Sequence, residues 1–218
     1  MTRHLMRAIA AACISSLVAG PVAAATALPA GVESGPAARH ATAADGTAGT
    51  PRAGSNVCEQ QMARAAARHG VPLGMLYAVG LTESGKRGSL QPYAMNIGGR
   101  AYFGAGPADV IARLGQAQRE GVRLVDLGCM QINHHYHREK FASLEAMIDP
   151  AQNVDYATRF LKELRDREGS WTLAVARYHA GPNNNPAQKL YVCRVITNMV
   201  ASGFGNWTPG AKAFCQPG

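Results

Sequence analysis

One carboxylate closes an apolar stretch in the first half of the chain, Leu76-Tyr77-Ala78-Val79-Gly80-Leu81-Thr82-Glu83-Ser84-Gly85. Leu76, Val79 and Gly80 recur at helical spacing, and Glu83 falls on the same stripe. Pro72 suits the start of that helix, because its missing N–H would have no partner there anyway. Gly85 suits the end. Glu83 therefore sits at the C-terminal end of an apolar helix face. Burial disfavours its charged form by removing water. The partial negative charge of the helix terminus disfavours it again. A carboxyl group kept protonated near neutral pH is what a general acid needs. The alternative at this point is a solvated glutamate at a fraying helix end.

The elements that must position Glu83 can be read from periodicity and punctuation. Val57 to His69 reads as a first helix ended by Gly70, and the helix of Glu83 follows it. Pro92 to Ile97 and Arg100 to Phe103 read as two short strands joined by Gly98-Gly99. Pro107 to Arg119 is a helix closed by Gly121. Val122 to Asn133 starts as a strand and runs into a turn. Asp149-Pro150 marks a strong helix start, and Val154, Ala157, Phe160, Leu161 and Leu164 line one face of that helix to about Glu168. Ser170 caps the next, with Trp171, Ala174, Val175 and Tyr178 on its face and Gly181-Pro182 as its stop. Pro186 opens the last, with Leu190, Cys193, Ile196 and Val200 as the expected stripe. The domain is thus expected to be α+β, mostly helical, with a small β-hairpin element.

Residues 1–27 read as a signal peptide: Arg3 and Arg7, an apolar run from Ala8 to Val22, then A-x-A patterns. The run is short for a membrane span. Cys13 lies inside it. Residues 28–55, rich in Ala, Gly, Pro and Thr, read as a flexible linker that cannot bury enough apolar surface to fold. Residues 56–218 are one domain's worth of chain. Removing Arg3 and Arg7 with the leader takes two charges off the +8 of the whole chain and leaves +6. A basic exported chain suits an acidic wall polymer or an anionic membrane surface, and no motif points to nucleic acid. Cys58, Cys129, Cys193 and Cys215 are an even set in an exported chain, which favours disulfides over metal, with three pairings open. His134, His135 and His137 invite a metal reading. No partnering Cys or carboxylate spacing supports it, and a solvated or packed histidine cluster is the plainer account. Asn183-Asn184-Asn185 is a polar run placed where it could rim a groove.

Three separated motifs carry a resemblance. Glu83-Ser84-Gly85, Gly128-Cys129-Met130-Gln131-Ile132-Asn133 and Ala176-Arg177-Tyr178-His179-Ala180-Gly181-Pro182 are similar, in order, to the E-S, G-L-M-Q and A-Y-N-A-G motifs of family 1 (SLT-type) lytic transglycosylases of the lysozyme superfamily. A later Tyr191-Val192 matches the second tyrosine of that family. The resemblance covers roughly Cys58 to Met199. It implies a lysozyme-like fold and cleavage of peptidoglycan between MurNAc and GlcNAc, with Glu83 as the one catalytic acid and base, no enzyme nucleophile and no cofactor. The product implied is 1,6-anhydro-MurNAc. Cys129 stands where the family usually has Leu, and His179 where it usually has Asn. The stretch between Glu83 and Gln131 is longer than in the commonest members. That longer form, with D-L-G-C-M-Q-I-N and a histidine-rich run, resembles a subset associated with bacterial flagella and secretion machines.

The same resemblance assigns supporting or substrate-binding places to Ser84, Met130, Gln131, Tyr178, His179 and Tyr191. Each has a plainer alternative. Ser84 could bond only its own helix end. Gln131 could order its turn instead of binding substrate, and Met130 could be core. Tyr178, whose hydroxyl could bond the catalytic carboxyl, could be a core aromatic. Tyr191 is the weaker match of the two tyrosines. Subset members with two cysteines carry them at the first helix and before M-Q, which implies Cys58–Cys129 and leaves Cys193–Cys215. A bond from Cys215 would also pin the short tail after Gly203. The expected partners are peptidoglycan strands and flagellar rod or secretion-system proteins. The expected place is the periplasm and the expected state a monomer. A water-using muramidase with Asp126 as second carboxylate, and a non-catalytic wall-binding module, are the competing readings.

Overall fold

The computed structural model describes residues 56–181 and 185–216. The expected signal peptide (1–27) and linker (28–55) lie outside the described residues, as do Asn183 and Asn184 of the polar run. Helix α1 (Val57–His69) is capped by the Asn56 side chain, which accepts from the Cys58 N–H at 2.8 Å, and it ends on left-handed Gly70. Helix α2 (Leu73–Ser84) follows and is apolar on most sides, because it runs through the middle of the domain. Leu76, Ala78, Val79 and Gly80 are buried. A Cβ at Gly80 would stand 2.3 Å from the Met62 methyl of α1, so the glycine marks a close approach of the two helices.

Strands β1 (Ala94–Ile97) and β2 (Arg100–Phe103) pair antiparallel around Gly98 and Gly99, whose φ values of 54° and 89° are those that a two-residue hairpin turn demands. Helix α3 (Pro107–Arg119) leads to β3 (Val125–Leu127) and then, after a tight turn, to β4 (Ile132–Asn133). The sheet is antiparallel throughout, in the order β2-β1-β3-β4. The hairpin expected from the sequence is therefore half of a larger sheet.

Two short helices, α4 (His134–His137) and α5 (Leu144–Ile148), precede α6 (Pro150–Glu168). Asp149 caps α6 by accepting from the Gln152 N–H, and Gly169 ends it in the left-handed region. Helix α7 (Trp171–Ala180) is capped by Ser170. Helix α8 (Asn185–Ala201) packs against α2 and α7, and α9 (Pro209–Cys215) closes the described chain against α8.

The stripe of α8 differs from expectation. Gln188, Tyr191, Val192 and Val195 are buried, while Leu190 is 56 % exposed. The reason is the tail: Cys193 turns toward α9 and bonds Cys215, so the face of Leu190 and Cys193 looks outward to α9 and Trp207. The other bridge joins Cys58 of α1 to Cys129 between β3 and β4, with Cα atoms 5.8 Å apart. The fold is α+β, mostly helical with one small antiparallel sheet, and is consistent with a lysozyme-like architecture.

Candidate active site

Glu83 occupies the last turn of α2, with only Ser84 after it before the helix ends at Gly85. Part of its surface remains accessible, yet packed atoms surround the carboxyl. Burial, with a smaller push from the charge of Asp126, raises its pKa to about 8 from an ordinary 4.5. One group works against this rise. The Tyr191 hydroxyl of α8 donates to Glu83 Oε1 at 2.5 Å, which favours the charged form. Tyr191 is itself buried, and burial first, then the neighbouring Glu83, holds its hydroxyl protonated. His179 of α7 lies flat on the Tyr191 ring, with centroids 4.2 Å apart and planes 1° from parallel. Burial and the Arg194 charge depress the His179 pKa, so the stacked ring is neutral at neutral pH.

Residues Gly128 to Gln131 form a turn held by five different elements. Cys129 is bonded to Cys58 of α1. The carbonyl of Cys129 accepts from the buried Ser84 hydroxyl at 2.8 Å, which ties the turn to the helix end beside Glu83. The Met130 N–H donates to Asn153 Oδ1 of α6 at 3.0 Å. The Met130 carbonyl accepts from the Tyr178 hydroxyl of α7 at 2.8 Å. Gln131, with φ 46°, donates through Nε2 to the carbonyls of Ala94 in β1 and Gly128. Both donors of that amide are thus spent on the turn, and only its oxygen is left for a ligand. Met130 is fully buried and acts as core. Tyr178 does not meet the carboxyl with its hydroxyl, as the motif suggested it could. It meets the turn instead, and Tyr191 holds the position on Glu83.

Sequence reasoning missed Asn153. It is completely buried, accepts from Met130 and donates to the carbonyls of Leu127 and Met147. A polar residue at stripe spacing with Ala157, Leu161 and Leu164 was the available signal: such a residue must find partners inside. Missed too was the row across the sheet. Asn96, Asp126 and Asn133 stand opposite one another on β1, β3 and β4, on the face away from Met95, Leu127 and Ile132. Asp126 accepts from Asn96 Nδ2 at 3.0 Å and from Asn133 Nδ2 at 2.6 Å. Burial raises its pKa while these two bonds oppose the rise, and its charge acts on Glu83, Tyr178 and His179. The sheet row and the three helix residues therefore face one site.

The three histidines of the metal reading do not converge. His137 Nδ1 lies 2.8 Å from the Tyr156 hydroxyl within a ring cluster with Phe160, whereas His135 lies by Arg123. Among the described residues no group of three or more His, Cys, Asp or Glu is placed to hold a metal ion.

A family model described as Transglycosylase SLT domain matches residues 60–195, more than half of the chain, and that span contains Glu83, Asp126, the Gly128 to Gln131 turn, Tyr178, His179 and Tyr191. No curated protein and no solved structure matches the chain.

Proposed function

The chain belongs to the transglycosylase SLT family, glycan-cleaving lyases that act on peptidoglycan, and we propose from there that Glu83 works first as the acid and then as the base of a lytic transglycosylase reaction. The observation that carries this is a single carboxyl at a buried helix end, raised to about 8 and held by one tyrosine hydroxyl. Protonated Glu83 gives its proton to the oxygen linking MurNAc C1 to GlcNAc. That C–O bond breaks, and the substrate's own 2-acetamido oxygen bonds to C1 and shares the charge. Substrate assistance of this kind replaces the second carboxylate of most glycosidases. Ionised Glu83 then takes the proton of the MurNAc C6 hydroxyl. The hydroxyl oxygen attacks C1, the bond to the acetamido oxygen breaks, and a 1,6-anhydro ring closes. Acid and base steps on one residue require a pKa near the working pH. Ser84 and Gln131 serve as positioning residues, through the turn they hold. Tyr178 does the same, and His179 and Tyr191 position the carboxyl.

The reading includes export: residues 1–27 as a signal peptide and residues 28–55 as a tether, with the domain acting in the periplasm as a monomer. Disulfides in the domain suit a compartment outside the cytoplasm. The D-L-G-C-M-Q-I-N run supports service to a flagellum or secretion apparatus, by local opening of the wall at that machine's rod or shaft proteins. Turnover of purified sacculi by the wild type beside Glu83→Gln tests the chemistry. The variant keeps shape and loses the transferable proton, so anhydro-muropeptides should vanish from its digest while its folding is retained. Retained turnover would remove Glu83 from the mechanism.

A second reading rests on Asp126, whose charge reaches Glu83 and which is fixed by two asparagines. In that reading Asp126 supports the charge at C1 and water is the acceptor. Mass spectrometry of the same digest decides, since a hydrolase leaves reducing ends.

A further inference from the structure

A cleft begins where β4 ends. Asn133 joins it to the site: its Nδ2 donates to Asp126, and its Oδ1 caps α4 by accepting from the N–H groups of His135 and Tyr136. The cleft has a volume of about 310 Å³. Gln118 at the end of α3, Arg123 before β3, and His134, His135 and Arg138 around α4 supply its polar side chains, and no carboxylate is among the residues that line it. Arg123 Nη2 lies 3.3 Å from His135 Nε2. A guanidinium only donates, so that imidazole nitrogen accepts and the ring proton sits on Nδ1. Arg138 meets Glu139 through Nε at 2.9 Å, but both side chains are more than half exposed and solvent screens the pair. Burial first, and then Arg138 and His135, depress the His134 pKa. Two guanidinium groups and two imidazoles thus share one pocket without an acid inside it.

We propose that this cleft binds a carboxylate of the peptide stem carried by the glycan strand. The forks of Arg123 and Arg138 match a planar carboxylate, which each can meet with two parallel N–H bonds. Gln118 and the two histidines add donors at the rim. The proposal rests on the peptidoglycan reading above, which supplies a substrate bearing carboxylates on short peptides. It adds a subsite that reads the stem, separate from the machinery that cleaves the glycan. A strand lying past Glu83 and Asp126 brings its stem to Asn133, one residue before the cleft begins.

Binding and turnover test this separately. The full chain carrying Glu83→Gln, which leaves the cleft intact, is titrated with a soluble muramyl tetrapeptide and with its carboxyl-amidated form. Amidation should weaken binding about tenfold or more, the worth of one or two charge-assisted bonds. Adding Arg123→Gln and Arg138→Gln should weaken binding of the free acid to the same extent. Both arginines are exposed, and a circular dichroism melt checks that the variant folds. In chains with Glu83 restored, the preference for stem-bearing over stem-free strands should collapse by a similar factor. Equal binding of the free acid by parent and arginine variant would overturn the proposal. So would inorganic phosphate binding the parent more tightly than the muramyl peptide does, which would give the cleft to a phosphate polymer. A wild type that binds the peptide through these arginines but cleaves neither kind of strand would sink the transglycosylase reading and leave this subsite standing.

Discussion

Glu83 carries a conflict that can be measured. Burial holds its pKa at about 8, and the Tyr191 hydroxyl pulls the other way. In the unfolded chain the group titrates near 4.5. Between these two values the folded state keeps a proton that the unfolded state has released. Wild-type stability therefore falls as pH rises across that window, and is flat with respect to this group above it. Glu83→Gln removes the dependence. Its advantage over the wild type should be absent below pH 4.5, grow with pH, and level off near 8. The total is at most roughly 5 kcal/mol, from about 1.4 kcal/mol for each tenfold change in proton affinity. Thermal melts of both proteins from pH 4 to 9 check this, and a gap that stays constant would mean that the carboxyl ionises normally in the fold. Activity should decline as pH rises through about 8, where the acid form is lost. Tyr191→Phe removes the contact that favours the charged form. The alkaline limb should then move upward while kcat falls about tenfold or more, as for loss of a bond to a charged group. An unmoved limb in Tyr191→Phe would show that the hydroxyl is merely packed there. The position of Glu83 on its stripe was legible from spacing alone. The choice of Tyr191 over Tyr178 was not, because only the packing of α8 on α2, and of α7 on α6 and α8, decides which hydroxyl reaches the carboxyl.

The Gly128 to Gln131 turn is where the elements depend on one another. Gly128 has φ 83°, and a Cβ there would stand 2.7 Å from the buried Asn153 side chain. Two separate costs meet in Gly128→Ala: a left-handed backbone for a residue with a Cβ, about 1–2 kcal/mol, and displacement of an asparagine that pairs with three backbone groups. The variant should lose about 3 kcal/mol or more in urea unfolding. Asn153→Ala leaves the Met130 N–H and the Leu127 and Met147 carbonyls without their partner in a dry interior. It should cost at least about 3 kcal/mol. It should also lower turnover at temperatures where it is still folded, since the turn it releases holds Ser84 next to Glu83. Full activity in folded Asn153→Ala would show that the turn only needs its other ties. Much of the element pattern was readable because its punctuation is local: Gly70 ends a helix, Asp149 and Ser170 cap helices, and Gly98-Gly99 makes a hairpin turn. The pieces that were not readable are short. A two-residue β4, a four-residue α4 and a five-residue α5 have no period to detect. The asparagine row across the sheet exists only once β1, β3 and β4 are in register.

At the scale of the whole domain, the two disulfides divide its labour. Cys58–Cys129 spans 71 residues and ties α1 to the turn that serves the site. Cys193–Cys215 spans 22 residues and ties α9 to the outer face of α8. Without that bond α9 has little to hold it: among the described residues the helix buries none and adds the exposed pair Lys189 and Phe214 and a 3.5 Å bond from Lys189 Nζ to the Gln216 carbonyl. The chain-entropy account gives the longer loop about 4 kcal/mol and the shorter about 3 kcal/mol. Energies so similar would be hard to tell apart by stability alone, but the bridges differ in what they touch. Cys129 is next to Met130, whose two backbone groups are held by Asn153 and Tyr178, and its own carbonyl takes the Ser84 hydroxyl. Cys193 lies two residues from Tyr191, yet α8 is also held by α2 and α7 on the side where Tyr191 points. Replacing Cys193 and Cys215 together by Ser should therefore lower the unfolding midpoint while turnover well below that midpoint stays within about twofold of the wild type, since distant and independently held sites do not couple. Replacing Cys58 and Cys129 together should lower both, with turnover down about tenfold at a temperature where circular dichroism still reports native structure. Measuring the two double variants side by side at matched folded fraction separates the effects. Equal losses of turnover at equal folded fraction would mean that the turn keeps its geometry without the first bridge, and that Asn153, Ser84 and Tyr178 suffice to hold it.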